Sequence, residues 1–268
     1  MRITEWEDFI AGGGEPMAVT IGVFDGVHRG HQALIEKIGS GPCLPTVVTF
    51  RQNPLRITNP GRHVGDIFSL DQKLRAFEFL GVGQAVLIDF SGNFSKISGR
   101  DFIDRLVKNG QVRLLALGGD FRCGRDLDTG VREITEQTRS LGVEIRLVEA
   151  VTEGGRRVSS SRIRRAIGAG DIEEAERLLG GKVVLDLSGI PVELSSSTGE
   201  SGCRCYDVAA AFRISPRRGR YEALVYGAGS AGGIETTVCV EHGKVVVPPV
   251  PGGDEFRAER VEFLKSTQ

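Results

Sequence analysis

Thirteen residues, Val19-Thr20-Ile21-Gly22-Val23-Phe24-Asp25-Gly26-Val27-His28-Arg29-Gly30-His31, constrain this chain more than any other stretch. An apolar run with the texture of a buried strand enters a turn that carries Gly22, Gly26, Gly30 and two histidines. Gln32-Ala33-Leu34-Ile35-Glu36-Lys37 then reads as a helix. A strand, a glycine turn and a helix start bring unpaired backbone N–H groups to one point, where the helix dipole favours negative charge. Glycines at such a turn let a polyphosphate approach the main chain without meeting a Cβ. His28 and His31, three residues apart, can face the same phosphate group and hydrogen-bond its oxygens as charge builds up on a leaving pyrophosphate.

Taken alone, H-x-x-H reads equally as two solvated histidines or half of a metal site. The chain has 4 histidines, however, and the other two are the distant His63 and His242. A zinc site would need a third and fourth ligand in ordered spacing, and the flanking sequence offers no Cys or His for it. The spacing also differs from the Walker P-loop and from the dinucleotide G-x-G-x-x-G fingerprint.

The segment from Ile21 to His31 resembles the G-x-F-D-G-x-H-x-G-H signature of the nucleotidylyltransferase module in bacterial FAD synthetases, the bifunctional riboflavin kinase/FMN adenylyltransferases. The resemblance implies adenylyl transfer from ATP to FMN with magnesium and release of pyrophosphate. It makes His28 and His31 catalytic and assigns nucleotide binding to Gly22, Phe24, Asp25, Gly26 and Gly30. Val47-Val48-Thr49-Phe50-Arg51-Gln52-Asn53-Pro54 is similar to the family's V-T-F-D-P-H-P, with Arg51 in place of an acidic residue and Asn53 in place of a histidine. Phe50 and Asn53 carry over as binding residues. Leu117-Gly118-Gly119-Asp120-Phe121-Arg122-Cys123-Gly124 resembles G-x-[ND]-F-R-F-G, which places Asp120 and Arg122 at the nucleotide and flavin pocket, with Cys123 replacing an aromatic residue. Val158-Ser159-Ser160-Ser161-Arg162-Ile163-Arg164 is similar to I-S-S-T-x-I-R, with Ser161 keeping the hydroxyl of the usual threonine. Three hydroxyls before a helix can cap it and bind phosphate oxygens, and Arg164 would neutralise the β- and γ-phosphates. The resemblance therefore adds Ser159, Ser160 and Ser161 to the binding set and Arg164 to the catalytic one. It leaves the metal ligands open, with Asp120 and Asn53 expected to face the flavin phosphate or its magnesium.

Strands are predicted at residues 18–23, 45–50, 84–89, 113–118 and 143–148, alternating with helices at 32–38, 70–80, 101–108 and 132–141. That alternation predicts an α/β fold, a Rossmann-like parallel sheet with right-handed crossovers and ligands beyond the carboxyl ends of its strands. His28, Asn53, Asp120 and Ser159 would then share one edge. A helix at 171–179 ends a first domain, residues 1–181, in a sequence similar to the family's G-D-x-x-x-A-x-x-L-L-G. Short alternating runs at 182–187, 208–214, 221–226, 235–240 and 244–247 predict a second domain, residues 182–268, as a small antiparallel β-barrel followed by a C-terminal helix over 254–264. The riboflavin kinase module of the family is likewise a barrel with a terminal helix. Its G-F-P-T-A-N motif, however, aligns with Tyr206-Asp207-Val208-Ala209-Ala210, so that threonine becomes Val208 and asparagine becomes Ala210, and neither can ligate a metal. A competing alignment on Gly189-Ile190-Pro191-Val192-Glu193-Leu194 lacks both residues too, which leaves Glu235, in the place of the catalytic glutamate, with little to activate. The expectation is an FMN adenylyltransferase whose kinase module is degenerate, its activity lost or weak.

A formal net charge of -1 gives no basic face for nucleic acid. No apolar run approaches a membrane span, and residues 1–8 lack the apolar core of a signal peptide. Five scattered cysteines fit free thiols in a reducing compartment. The expected setting is cytoplasmic, with ATP and FMN as substrates, Mg2+ as cofactor and no obligate protein partner. Three alternatives remain: a bifunctional enzyme with a divergent kinase site; a non-catalytic flavin or nucleotide binder, because of the altered Arg51-Gln52-Asn53 turn; and a transferase acting on another phosphorylated acceptor, because the ATP motifs are more specific than anything that reads the acceptor.

Overall fold

Apolar runs too continuous to face water on either side build the first of two main sheets. The computed structural model describes residues 1–90, 94–195, 202–251 and 256–267. It divides into two units, Met1–Arg62 with Lys73–Arg157 and His63–Gln72 with Val158–Gln268.

The first unit runs β1 (Arg2–Glu5), α1 (Trp6–Ile10), β2 (Met17–Ile21), α2 (Arg29–Gly39), β3 (Leu44–Phe50), α3 (Leu55–Thr58) and α4 (Leu70–Phe79, whose first turn counts with the second unit). It continues through β4 (Gln84–Ile88), α5 (Gly99–Asn109), β5 (Val112–Gly118), β6 (Arg122–Cys123), β7 (Thr129–Gly130), α6 (Val131–Thr138), β8 (Glu144–Val148), β9 (Thr152–Glu153) and β10 (Arg156–Arg157). Every residue of β2 and β4 is buried, the mark of a parallel sheet covered on both faces. The strand order is β1-β4-β3-β2-β5-β8, all parallel. From β2 the chain winds outward through β3 and β4, then returns to the other flank of β2 as β5. The winding reverses between β2 and β5, and open α/β sheets bind ligands beyond the strand ends at such a point. The five strands expected from sequence are all present, with ends displaced by up to two residues. Helix α5 begins earlier than its apolar period implies because Ser98 caps it, its Oγ accepting from the Asp101 N–H at 3.1 Å. The expected helix at 132–141 is α6 followed by a 3-10 turn over Arg139–Leu141 that ends on left-handed Gly142.

Neither β1 nor α1 was expected. β1 is four residues long, three of them polar (Arg2, Thr4 and Glu5), so it carries no strand signal of its own; it exists because β4 offers it an edge, with Arg2 opposite Gln84. α1 then lays Trp6 and Phe9 onto α5. Trp6, 2% exposed, meets Phe102 at 5.2 Å, Phe94 edge-on at 5.8 Å and Phe9 at 5.9 Å between ring centroids.

The second unit holds α7 (Ser160–Ala169), α8 (Ile172–Leu179), β11 (Val184–Asp186), β12 (Val192–Ser195), β13 (Cys203–Asp207), β14 (Gly219–Gly227), β15 (Ile234–Glu241), β16 (Lys244–Val247) and β17 (Ala258–Thr267). These strands form one antiparallel sheet in the order β11-β17-β14-β15-β16-β13-β12. Its end strands are not paired with each other among the described residues, so the curl is a half-barrel.

Two expectations are corrected here. The C-terminal segment is a strand, β17, and not a helix; residues 254 and 255 of the expected helix lie outside the described residues. The i, i+3 spacing of Ala258 and Val261 imitates a helix, but Val261 and Phe263, both buried, alternate with exposed or half-exposed charged neighbours. A lone helix of that length is marginal in water, whereas the strand bonds to β14 on one side and β11 on the other. The strand expected at 208–214 is a turn, and the strand itself comes earlier, as β13. Asp207 stops it by accepting the Ala210 N–H on its carboxylate at 2.8 Å.

Replacing Trp6 with Ala is expected to cost about 3–5 kcal/mol of stability. Because Trp6 is the only tryptophan, urea unfolding of the variant is followed by circular dichroism; an unchanged midpoint would refute the role given to α1.

Candidate active site

β2 ends at Ile21, and the following residues fold the chain back over the strand end. The Gly22 N–H donates to Val48 O on β3 at 3.1 Å. A Cβ on Gly22 would lie 3.1 Å from the Phe24 ring, so glycine leaves the space that ring occupies. Phe24 (φ 53°), Gly26 (φ 81°) and Val27 (φ 38°) are all left-handed. For a β-branched residue this is a real outlier, and such strain costs about 1–3 kcal/mol. Burial offsets it: Phe24 is 0% and Val27 2% exposed, each contributing about 1.5–3 kcal/mol. Asp25 and Gly26 are buried with them. The turn closes with the Val27 N–H on Phe24 O at 3.2 Å and the Gln32 side-chain amide on Val27 O at 3.0 Å.

His28 caps α2 in an extended conformation, its carbonyl accepting from the His31 N–H at 2.7 Å and the Gln32 N–H at 2.9 Å. Gly30 lies in the first turn of that helix. The two imidazoles stack with centroids 3.6 Å apart and planes 15° from parallel. Phe24 backs His31 at 5.0 Å and is fixed in turn by the edge-on Phe77 ring at 5.5 Å. Burial holds the His31 pKa well below the ordinary histidine value, and the charges of His28, Lys73 and Arg157 lower it further. His31 is therefore neutral near pH 7. Its Nδ1 is buried and finds no hydrogen-bond partner among the described residues, which leaves one ring nitrogen with unused hydrogen-bonding capacity.

Beneath the turn lies Lys73, a residue the sequence reading missed. It sits one helical turn before Phe77 on the buried face of α4 and is 7% exposed. Its ammonium donates to Phe50 O at 2.7 Å, Thr49 Oγ1 at 3.2 Å and Val23 O at 3.3 Å, while the Thr49 hydroxyl donates to Val23 O at 3.1 Å. One cation thus ties the end of β3 to the residue that opens the histidine turn. The signal in the sequence is a lysine in register with apolar helix positions.

At the end of β3, Phe50 meets Phe90 edge-on at 5.5 Å. Arg51 turns aside to pair with Glu5. Asn53 is buried, its Oδ1 accepting from the Leu55 N–H at 3.1 Å in a turn that opens α3. The amide that stands where the family has a histidine therefore shapes the local chain.

At the end of β5, exposed Asp120 forms a two-point pair with Arg157, with Nη2 to Oδ1 at 2.9 Å. The hydrogen bonds to Arg157, and then its charge, hold the Asp120 carboxyl below its usual range and raise Arg157 in turn. Arg157 rides on the β9–β10 hairpin, which turns on left-handed Gly154 and Gly155. Arg29 at the head of α2 holds the same hairpin through Glu153 at 2.6 Å. Arg122 is exposed on the neighbouring β6–β7 hairpin, its Nε donating to Leu127 O at 2.7 Å. Burial, with the charge of Asp128, pushes the Cys123 thiol up to about 12, so it stays protonated and unreactive.

Gly22, Phe24, Asp25, Gly26, His28, Gly30, His31, Phe50, Asn53 and Asp120 thus follow the ends of the adjacent strands β3, β2 and β5. Ser159, Ser160, Ser161 and Arg164 belong to the second unit, at the head of α7. There the Ser159 hydroxyl accepts from the Arg162 N–H at 3.3 Å, Ser161 is exposed, and Arg164 Nε donates to Gly65 O at 2.8 Å. Among the described residues, no cluster of three or more His, Cys, Asp or Glu residues could hold a metal, and exposed Asp120 is paired with Arg157. These residues do not form a magnesium site from protein ligands alone.

The sequence model of the family described as FAD synthetase matches residues 13–162, more than half of the chain. The chain belongs to the FAD synthetase family. A bifunctional riboflavin kinase/FMN adenylyltransferase of Escherichia coli (strain K12) is 32% identical over 220 residues, covering 80% of this chain and 70% of that protein. Proteins of the same name from Listeria monocytogenes and Bacillus subtilis are 29% and 30% identical, covering 55% and 52% of their own lengths. A solved structure titled as a macrolide-efflux protein from Streptococcus pneumoniae aligns with 100% of this FAD synthetase homologue and 91% of its own chain, with a TM-score of 0.80. At 20% identity it shows the fold alone.

Lys73→Met is expected to take a donor from the Phe50 carbonyl while the Val23 carbonyl keeps the Thr49 hydroxyl, and to lower stability by about 1–3 kcal/mol, read as a fall in the urea midpoint. A second expectation concerns pH. His31 resists protonation when folded but takes a proton near pH 6.5 when unfolded, so the unfolded state binds more protons below that value. Stability present above pH 6.5 is then lost as the pH falls towards the depressed folded value. His31→Gln should flatten this part of the Tm-against-pH curve; identical curves for the two proteins would refute it.

Proposed function

We propose that this member of the FAD synthetase family transfers AMP from ATP to FMN and releases pyrophosphate. The observation that carries the reading is the stacked histidine pair at the head of α2, with a neutral His31 whose Nδ1 is unpartnered among the described residues. The N-terminal end of α2 favours a phosphate, and the strand ends that flank it meet at the reversal of the sheet. The printed names of the relatives support adenylyl transfer to FMN.

An oxygen of the FMN phosphate attacks the α-phosphorus of ATP in line. The new P–O bond forms as the bond from the α-phosphorus to the bridging oxygen breaks, and pyrophosphate leaves with the electron pair. A phosphate monoester is already anionic near neutral pH, so no strong base is needed. His28 and His31 meet the α- and β-phosphates, and their N–H groups stabilise the charge that grows on the bridging oxygen. Gly22, Phe24, Asp25, Gly26 and Gly30 form the bed of the turn. Ser159, Ser160, Ser161 and Arg164 are assigned to the departing pyrophosphate on the chemistry of their own helix start, where hydroxyls, N–H groups and a guanidinium gather. Phe50, Asn53, Asp120 and Arg122 are assigned to the nucleotide and flavin, with Asp120 exchanging Arg157 for a ligand at little cost, since exposed pairs contribute at most about 1 kcal/mol.

The same proposal divides the chain by module at 1–181 and 182–268 and treats the second as a riboflavin kinase fold without its chemistry. Val208, in the place of the kinase threonine, is 0% exposed, and the Ala210 N–H is taken by Asp207. A methyl and an isopropyl group ligate no metal. Five free thiols and substrates drawn from metabolism support a cytoplasmic setting. No described helix is long and apolar enough to cross a membrane.

The test is chromatography of products from FMN, ATP and magnesium, with riboflavin replacing FMN in a parallel reaction. FAD and pyrophosphate are expected in the first and no FMN in the second. His31→Ala should lower kcat for FAD formation by about 10²–10³ with the fold retained. Binding of ATP and FMN without pyrophosphate release would favour a non-catalytic flavin binder, and FMN made from riboflavin would restore a working kinase.

A further inference from the structure

We infer that residues 212–214 of the second unit act through Gly65 to position Arg164, which makes the kinase-like sheet a working part of the transferase. The inference rests on the reading that Arg164 acts on the departing pyrophosphate.

The contacts form one short chain. Arg164 Nε donates to the Gly65 carbonyl at 2.8 Å, across 99 residues of sequence. A bond at Nε fixes the plane of the guanidinium, and lysine has no equivalent donor. Gly65 is itself held from behind. Its neighbour Asp66 donates its N–H to Phe212 O at 2.7 Å and accepts the Ile214 N–H at 3.0 Å, an isolated bridge opposite Arg213. His63 closes the segment through Asp66 Oδ1 at 2.8 Å, with both side chains less than a tenth exposed.

Gly65 has φ +111°, and a Cβ there would come within 2.6 Å of Ile214 N and 2.8 Å of Arg213 C. The 213–214 backbone therefore presses where any side chain would stand, and only glycine permits the approach. On the far side, the 212–214 strip is set by the Asp207 turn, with Phe212 left-handed at φ 56° and its N–H on Ala209 O at 2.9 Å. This is the turn that has lost the kinase threonine and asparagine. It keeps a reason to fold, because it backs the segment that aims the arginine.

The test measures pyrophosphate release from FMN, ATP and magnesium by the full-length chain and by Gly65→Ala, Arg164→Ala, Arg164→Lys and the Gly65→Ala/Arg164→Ala double variant, with folding checked by thermal unfolding. Displacing a positioned group by an ångström costs large factors in rate, so Gly65→Ala is expected to lower kcat about tenfold or more, with KM for FMN unchanged. Arg164→Lys should fall beside Arg164→Ala, not beside the parent protein. Acting through Arg164, the Gly65 change should add nothing to Arg164→Ala beyond about twofold, whereas general structural damage would multiply with it. Parent-like turnover of Gly65→Ala beside a crippled Arg164→Ala overturns the positioning role, and so do losses that multiply. Parent-like turnover of Arg164→Ala removes the reading of Arg164 itself, and this inference with it. Should Gly65→Ala not fold, His63→Ala goes through the same cycle under the same criteria.

Discussion

The first unit depends on a strained turn held shut from below. Phe24, Gly26 and Val27 take left-handed angles to fold the chain back over β2, and nothing local makes that favourable for phenylalanine or valine. The conformation survives because its apolar side chains are buried and because Lys73 grips the Val23 and Phe50 carbonyls from α4. A buried ammonium is expensive unless its protons are taken, and here three oxygens receive them. The outcome is a helix start fixed in angle and height relative to the strand ends, with two imidazoles stacked on it.

That same cation shapes the electrostatics. Burial is the main cause of the lowered His31 pKa, and His28, Lys73 and Arg157 add to it electrostatically. Protonated histidines would bind polyphosphate tightly before reaction as well as during it, which lowers KM without raising kcat. On the proposed role, a neutral ring in a positive setting would leave long-range attraction to the fixed cations and would offer a directed N–H whose bond strengthens as charge develops on the leaving oxygen. Arg157 has a second tie, to Asp120, which closes the β5 side of the strand reversal.

The sequence showed the parallel sheet clearly because its strands are buried on both faces and so are almost purely apolar, as in Gln84-Ala85-Val86-Leu87-Ile88. Elements that exist through their neighbours were not legible. β1 is made by the open edge of β4; β17 has helical spacing but is claimed by two adjacent strands; the 208–214 segment is apolar but is stopped by the Asp207 carboxylate. Within the site, glycines and histidines announce themselves through conformation and chemistry. Lys73 did not, since lysine reads as a solvated surface residue until a structure supplies the carbonyls around it, and Arg157 is identified only by Asp120, 37 residues away.

The second unit is a sheet packed on an apolar interior. Its sheet is held by Tyr206, Tyr221, Val225, Val238, Val261 and Phe263, all at most 1% exposed. The Tyr206 hydroxyl accepts from the Ala258 N–H at 2.9 Å, and the Tyr221 hydroxyl donates to Arg217 O at 2.9 Å. Neither bond involves Val208 or Ala210. Val208 is 0% exposed and adds apolar surface to the core. Polar side chains at these two positions could disappear without touching either tyrosine bond, because function resides in a few side chains grafted onto a fold. What cannot disappear is the backbone path through 212–214, since two main-chain hydrogen bonds and a close approach to Gly65 depend on where that path runs and on no side chain in it.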